Sequence, residues 1–154
     1  MTAVPAANNA ELPEIEHLLC FSIYSTGLAF NQLYRPLLEE IGLTYPQFLV
    51  MVALWSQEGR TVKELGEALF LDSSTLTPLL KRLEAAGLIR RSRNPKDERQ
   101  VLLSVTEQGN SLRNAAAEVA CAVREAVGIT AEQAKAIQAS LGVIRDKIHA
   151  RSAS

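Results

Sequence analysis

Helix-start signals recur along this chain at intervals too short to allow one long rod. Thr44-Tyr45-Pro46-Gln47, Thr61-Val62-Lys63-Glu64 and Thr130-Ala131-Glu132-Gln133 each set a hydroxyl at a helix cap with Gln or Glu three residues later. That pattern satisfies two orphan amide donors reciprocally. Asp72-Ser73-Ser74 offers cap candidates for a further helix that should run to Ala86 and end at Gly87. Upstream, Leu12 to Ile41 reads as helical, with Ile15, Leu18, Leu19, Ile23, Phe30, Leu33, Leu37 and Leu38 largely at threes and fours. Pro36, which lacks an amide donor, should kink or restart this segment, and Gly42 should stop it. Residues 1–10, small and polar, are expected to be a flexible N-terminus.

One stretch breaks the helical rule. Leu88 to Arg93 and Gln100 to Val105 carry strand-like alternation or β-branched content around the polar turn Asn94-Pro95-Lys96-Asp97-Glu98. This predicts a hairpin with a charged tip. Thr106-Glu107-Gln108-Gly109 then launches a helix of roughly 20 residues closed by Gly128, and a last helix runs from about Thr130 to Ala150. The order predicts a mainly α fold with a small β-hairpin (α+β): a winged helix-turn-helix with N- and C-terminal dimerisation helices. Within one compact domain, residues 11–43 form the N-terminal helical segment, 44–109 the DNA-binding region and 110–154 the C-terminal dimerisation helices. The terminal helices are too long and too apolar on one face to be covered by so small a domain, so a homodimer is expected.

The composition, 154 residues with 47% hydrophobic side chains, suits one ordinary domain. No apolar run approaches the roughly 18–20 residues of a membrane span. The first ten residues lack a basic group ahead of an apolar stretch, so a cytoplasmic chain is expected. Cys20 and Cys121 lie far apart, no C-x-x-C pair exists and there are two histidines, so neither a metal nor a cofactor is expected. In a reducing compartment both thiols rest reduced.

The net charge of -1 hides a polarised chain. Residues 81–100 hold seven basic side chains (Lys81, Arg82, Arg90, Arg91, Arg93, Lys96 and Arg99) against Glu84, Asp97 and Glu98. In the helix from Ser73 to Ala86, Leu76, Leu79, Leu80 and Leu83 make the inward stripe. Ser73, Ser74, Thr75, Thr77, Pro78, Lys81 and Arg82 are left for other faces. Short hydroxyls followed by long cations suit entry into a major groove. Arg99 at the hairpin tip suits a narrow minor groove, with Asp97 placed to hold its guanidinium by a two-pronged hydrogen bond. The plainer alternative is a solvated basic face.

Cys20 sits among Leu18, Leu19 and Phe21, which suits an inert core thiol. All three tyrosines, Tyr24, Tyr34 and Tyr45, follow within 25 residues, and Tyr24 lies at i+4 on the same helical face. A phenol that donates to a thiolate favours the charged form, and an apolar pocket around it would suit an organic hydroperoxide. Ordinary packing of the tyrosines stays open at this level.

Asp97-Glu98-Arg99-Gln100, with Val101-x-Leu103-x-Val105-Thr106-x-x-Gly109, resembles the wing signature of the MarR family of winged-helix repressors. Leu19 to Tyr24, Leu33-Tyr34-Arg35, Leu43 to Gln47 and Phe70 to Leu83 are similar to its organic-hydroperoxide-sensing OhrR branch, which often shows a tyrosine where this chain has Phe70. The resemblance implies a homodimer on a near-palindromic double-stranded operator. It implies Cys20 as the peroxidatic sensor, with Tyr34 and Tyr45 supplied by the partner subunit. It also implies that Cys121 of the partner resolves the sulfenic acid as an intersubunit disulfide, after which DNA is released. The DNA-facing set is then Ser73, Ser74, Thr75, Thr77, Pro78, Lys81, Arg82, Arg91, Arg93, Lys96, Asp97 and Arg99, in a non-enzymatic regulator. Two other functions fit parts of the pattern. One is a repressor gated by a non-oxidising apolar or phenolic ligand. The other is a thiol peroxidase, which leaves the basic hairpin unexplained.

Overall fold

The computed structural model describes residues 11–153, so the expectation for residues 1–10 lies outside the described residues. A 3-10 turn at Ile15–His17 precedes α1 (Leu19–Glu39). Three short helices follow: α2 (Tyr45–Ser56), α3 (Val62–Leu69) and α4 (Ser73–Ala85). The antiparallel hairpin β1 (Ile89–Asn94) and β2 (Asp97–Val105) leads into α5 (Glu107–Ser111), α6 (Arg113–Val127) and α7 (Ala131–Ser152). The fold is mainly helical with a two-stranded hairpin, as the pattern predicts.

The local signals act as expected where they are local. Reciprocal capping boxes form at Thr44, Thr61 and Thr130, and the Asp72 carboxylate accepts from the Thr75 amide at 2.8 Å. At the end of α4, Gly87 adopts φ +75 and the Leu88 amide reaches back to the Leu83 carbonyl at 3.0 Å. Glycine takes the left-handed conformation that this closure requires without steric cost.

Four expectations need correction. Helix α1 starts at Leu19 rather than Leu12, because Leu18 is extended and offers no capping side chain. It then runs unbroken through Pro36. The proline lies in the final turn, where one missing donor is the main loss. The helix after the hairpin is divided at Leu112 into α5 and α6. Strand β2 begins at Asp97, three residues before the expected Gln100, so the loop shrinks to Pro95-Lys96. A bulge follows, since Arg93 pairs with Val101 but Asn94 with Asp97, and the Asn94 side chain both accepts from the Lys96 amide and donates to Gln100.

The core lies between α2, α3, α4 and the hairpin. Leu38, Met51, Leu54, Leu65, Leu76, Leu80, Leu83 and Leu103 are fully buried or nearly so. The backbone at Arg60-Thr61 joins the sheet edge: the Leu103 amide donates to the Arg60 carbonyl at 2.9 Å, and Thr61 pairs with Leu102. The terminal helices contribute little. Leu38 is the only buried residue in α1 and none in α7 is buried, while Leu19, Ile23, Leu28, Ile137, Leu141 and Ile148 stay exposed. No helix among the described residues is long and apolar enough to cross a membrane.

The junction between hairpin and C-terminal helices is tight. The Thr106 hydroxyl donates to the Gly87 carbonyl at 2.6 Å and accepts from the Gly109 amide at 3.0 Å. A Cβ on Gly109 would overlap the Leu88 carbonyl oxygen and come within 2.7 Å of Val105 Cγ1. One obstacle is backbone and the other a half-buried side chain packed against the core, so Gly109→Ala is expected to destabilise the fold by about 3 kcal/mol. Chemical denaturation of the two proteins measures the difference.

Candidate nucleic-acid interface and thiol site

The leucine stripe orients α4. Leu76, Leu79, Leu80 and Leu83 are buried, which turns Ser73, Ser74, Thr75, Pro78, Lys81 and Arg82 to solvent and leaves Thr77 half-buried. The Ser74 hydroxyl donates to the Asp72 carboxylate at 2.6 Å, so it belongs to the cap as well as to the exposed face. That bond and the Thr75 amide hold the Asp72 carboxyl below its ordinary pKa.

The hairpin sets its cations beside this helix. Arg93, Lys96 and Arg99 are exposed. Asp97 does hold Arg99, but not with a two-pronged bond to the guanidinium. One carboxylate oxygen, Oδ1, accepts from Arg99 Nε and from the Arg99 backbone amide, each at 3.2 Å. Because Arg99 is only two residues on along the strand, the carboxylate shares itself between backbone and side chain.

Arg91 has a different place from the other cations. Its Nε donates to Glu84 Oε2 at 3.2 Å, its Nη2 to Oε1 at 3.0 Å, and its backbone amide also reaches Oε2. This fork ties β1 to the last turn of α4 and fixes the angle between helix and hairpin. Between them lies a groove of about 360 Å³ lined by Lys63, Thr77, Arg91, Arg99 and Gln100. Lys63 was absent from the sequence-based set. Its signal was the capping box at Thr61, which puts it in the first turn of α3 next to the hairpin.

The redox residues are divided. Cys20, in the first turn of α1, is exposed rather than packed as a small core hydrophobe, and Tyr24 is 64% exposed. Tyr34 and Tyr45 converge: their ring centroids lie 4.8 Å apart and Phe48 completes the cluster. Burial raises the pKa of both phenols, and for Tyr34 the neighbouring Tyr45 adds to it, so both remain protonated donors at neutral pH. Tyr34 follows Cys20 by fourteen residues on one continuous helix, a rise of about 21 Å. Cys121 lies on α6, which meets α1 near Phe30 and Tyr34 around a cavity of about 200 Å³. Its sulfur accepts from Arg124 Nη2 at 3.4 Å and lies 3.9 Å from Glu125 Oε1. Within one chain, therefore, Tyr34, Tyr45 and α6 with Cys121 stand at one level of α1, and Cys20 with Tyr24 at another.

The Glu84–Arg91 pair makes a pH prediction. The Glu84 carboxyl is held below its ordinary pKa, first by the Arg91 side-chain hydrogen bond, against some desolvation. A depressed carboxyl contributes stability that is present above its unfolded pKa and lost as pH falls through the folded one. NMR titration should place the Glu84 midpoint below the ordinary value of a glutamate side chain, and Arg91→Gln should bring it back towards that value.

The family of the transcriptional regulator SarA/Rot matches residues 32–116. The HTH-type transcriptional regulator TtmR of Methylorubrum extorquens is 46% identical over 91% of this chain and 72% of its own. The organic hydroperoxide resistance transcriptional regulator of Bacillus subtilis is 38% identical over 94% and 99%. AbfR of Staphylococcus epidermidis is similar in structure. Reduced and bound to DNA, it superposes with a TM-score of 0.72 at 33% identity, over 84% of this chain and 90% of that one. In its disulfide form the TM-score is 0.64 at 33% identity, over 82% and 88%. The wing, the capped recognition-type helix and these likenesses together show that the chain belongs to the MarR family of winged-helix transcriptional regulators, among its OhrR-type members.

Proposed function

We propose that the chain is a homodimeric repressor that binds operator DNA when reduced and releases it when an organic hydroperoxide oxidises Cys20. One observation carries this reading. Helix α1 keeps Cys20 about 21 Å from the tyrosine pair of its own chain, while the apolar faces of α1 and α7 stay uncovered. A second copy that covers those faces can bring its Cys20 to Tyr34 and Tyr45. Two protonated phenols then donate to the thiolate, with Tyr24 at the edge. The names of the Bacillus relative and of the AbfR forms, reduced on DNA and disulfide-bonded, support the same chemistry.

In the reduced dimer, the exposed face of α4 (Ser73, Ser74, Thr75, Thr77, Pro78, Lys81 and Arg82) enters the major groove. Arg93, Lys96 and Arg99, the last steadied by Asp97, flank the backbone or the minor groove. Arg91, bound to Glu84, sets the hairpin's angle as well as facing the groove. Oxidation transfers one peroxide oxygen to the Cys20 thiolate, giving a sulfenic acid and an alcohol. The Cys121 thiol of the other chain then displaces water to form the disulfide. The bridge requires Cβ atoms within about 4.5 Å, so α1 and the partner's α6 must close on each other. Half-sites about 34 Å apart tolerate little rotation between the two reading heads.

One equivalent of an alkyl hydroperoxide should produce a dimer band on a non-reducing gel that disappears in both Cys20→Ser and Cys121→Ser. Cys20→Ser should stay on DNA after oxidant in a gel-shift assay. Release of the Cys20→Ser protein by oxidant overturns the mechanism, and its release by a non-oxidising phenolic ligand favours ligand gating instead.

A further inference from the structure

The corner between α3 and α4 contains only Phe70 and Leu71 before the Asp72 cap. Phe70 takes φ 55, ψ 37, and among the described residues it is the one non-glycine with positive φ. That conformation lets the Leu71 amide bond the Gly66 carbonyl at 2.9 Å and close α3. Gly66 itself has no room to change, since a Cβ there would lie 2.9 Å from the Leu71 carbonyl oxygen. A bulky aromatic pays backbone strain in the left-handed region that glycine would not. The turn alone therefore does not call for a phenyl ring.

The ring's contacts lie on α7. The Arg145 guanidinium sits over its face, 4.1 Å from the centroid, and the His149 ring is 5.4 Å away at 30°. Arg145 also has Asp146 within 3.8 Å. Beneath them a cleft of about 640 Å³ runs from Phe70 past Ser73 and Leu76 to His149. The far end of the C-terminal helix thus rests on the corner from which the DNA-facing helix departs.

We propose that Arg145, with His149, is a positioning residue for DNA recognition. It clamps the left-handed Phe70 corner, so that α7 sets the angle at which α4 presents Ser73, Ser74 and Thr75. The inference rests on the DNA-binding reading above. It adds a route by which the terminal helices reach the reading head without passing through the hairpin.

The test uses the full-length reduced protein and a duplex that the wild-type chain selects from a random-sequence library. Fluorescence anisotropy gives Kd for wild type, Arg145→Gln, Phe70→Gly and the double variant. Phe70→Gly keeps the left-handed corner and removes only the ring. Each single variant should weaken binding by about three- to tenfold, the scale of one cation–π contact. The double variant should be no weaker than the weaker single one, because both remove the same contact. Amide exchange at residues 71–75 should quicken in both single variants. A loss under threefold in either, multiplying effects or unchanged exchange overturns the proposal. So does a salt slope reduced by about one in Arg145→Gln, which would make Arg145 a phosphate contact, or loss of the dimer by sedimentation. A wild-type chain that selects no duplex overturns the DNA-binding reading and the clamp with it. Selection by wild type with equal binding by the variants overturns the clamp alone.

Discussion

The burial of one leucine stripe decides what the surface of this protein can do. Leu76, Leu79, Leu80 and Leu83 occupy the inner face of α4 against Met51, Leu54 and Leu65. With four side chains removed from water, α4 cannot rotate about its axis without exposing them, at roughly 2 kcal/mol each. Every outward residue inherits its direction from that anchorage. The Asp72 cap fixes where the helix starts, the Gly87 corner where it ends, and the Glu84–Arg91 fork where the hairpin stands relative to it. Recognition-type chemistry here is the back of a hydrophobic core.

The opposite condition holds at the ends of the chain. Helices α1 and α7 have apolar side chains without a buried setting, and the exposed Cys20 stands apart from the Tyr34–Tyr45 pair. A hydrophobic face and a separated reactive group would both be completed by one second surface. Assembly and sensing are therefore one physical problem in the proposed mechanism.

What was legible in the sequence divides by range. Caps, helix stops and the leucine stripe depend on neighbours within a turn or two, and Thr44, Thr61, Asp72, Gly87 and Thr130 behave as the pattern demands. The hairpin was legible as an element but not in its register, because the bulge depends on the Asn94 carboxamide meeting Gln100 six residues away. Pro36 looked like a breaker, but near the end of a helix it removes little. The Tyr34–Tyr45–Phe48 cluster, the fork from Glu84 to Arg91 and the approach of Lys63 to the hairpin are set by packing between elements. No spacing rule contains them. Residues that seemed equivalent as cations, such as Arg91 and Arg93, separate only when a carboxylate across the junction engages one of them.

The continuity of α1 through Pro36 also has a mechanical side. From Cys20 to Leu38, the helix's buried residue, the rod measures about 27 Å. Held at the Leu38 end, it behaves as a pointer: displacing the Cys20 end by 3 Å tilts the whole axis by roughly 6°. A helix broken at the proline would absorb such a displacement in its joint. An unbroken one delivers it as an angle to the core that carries α4.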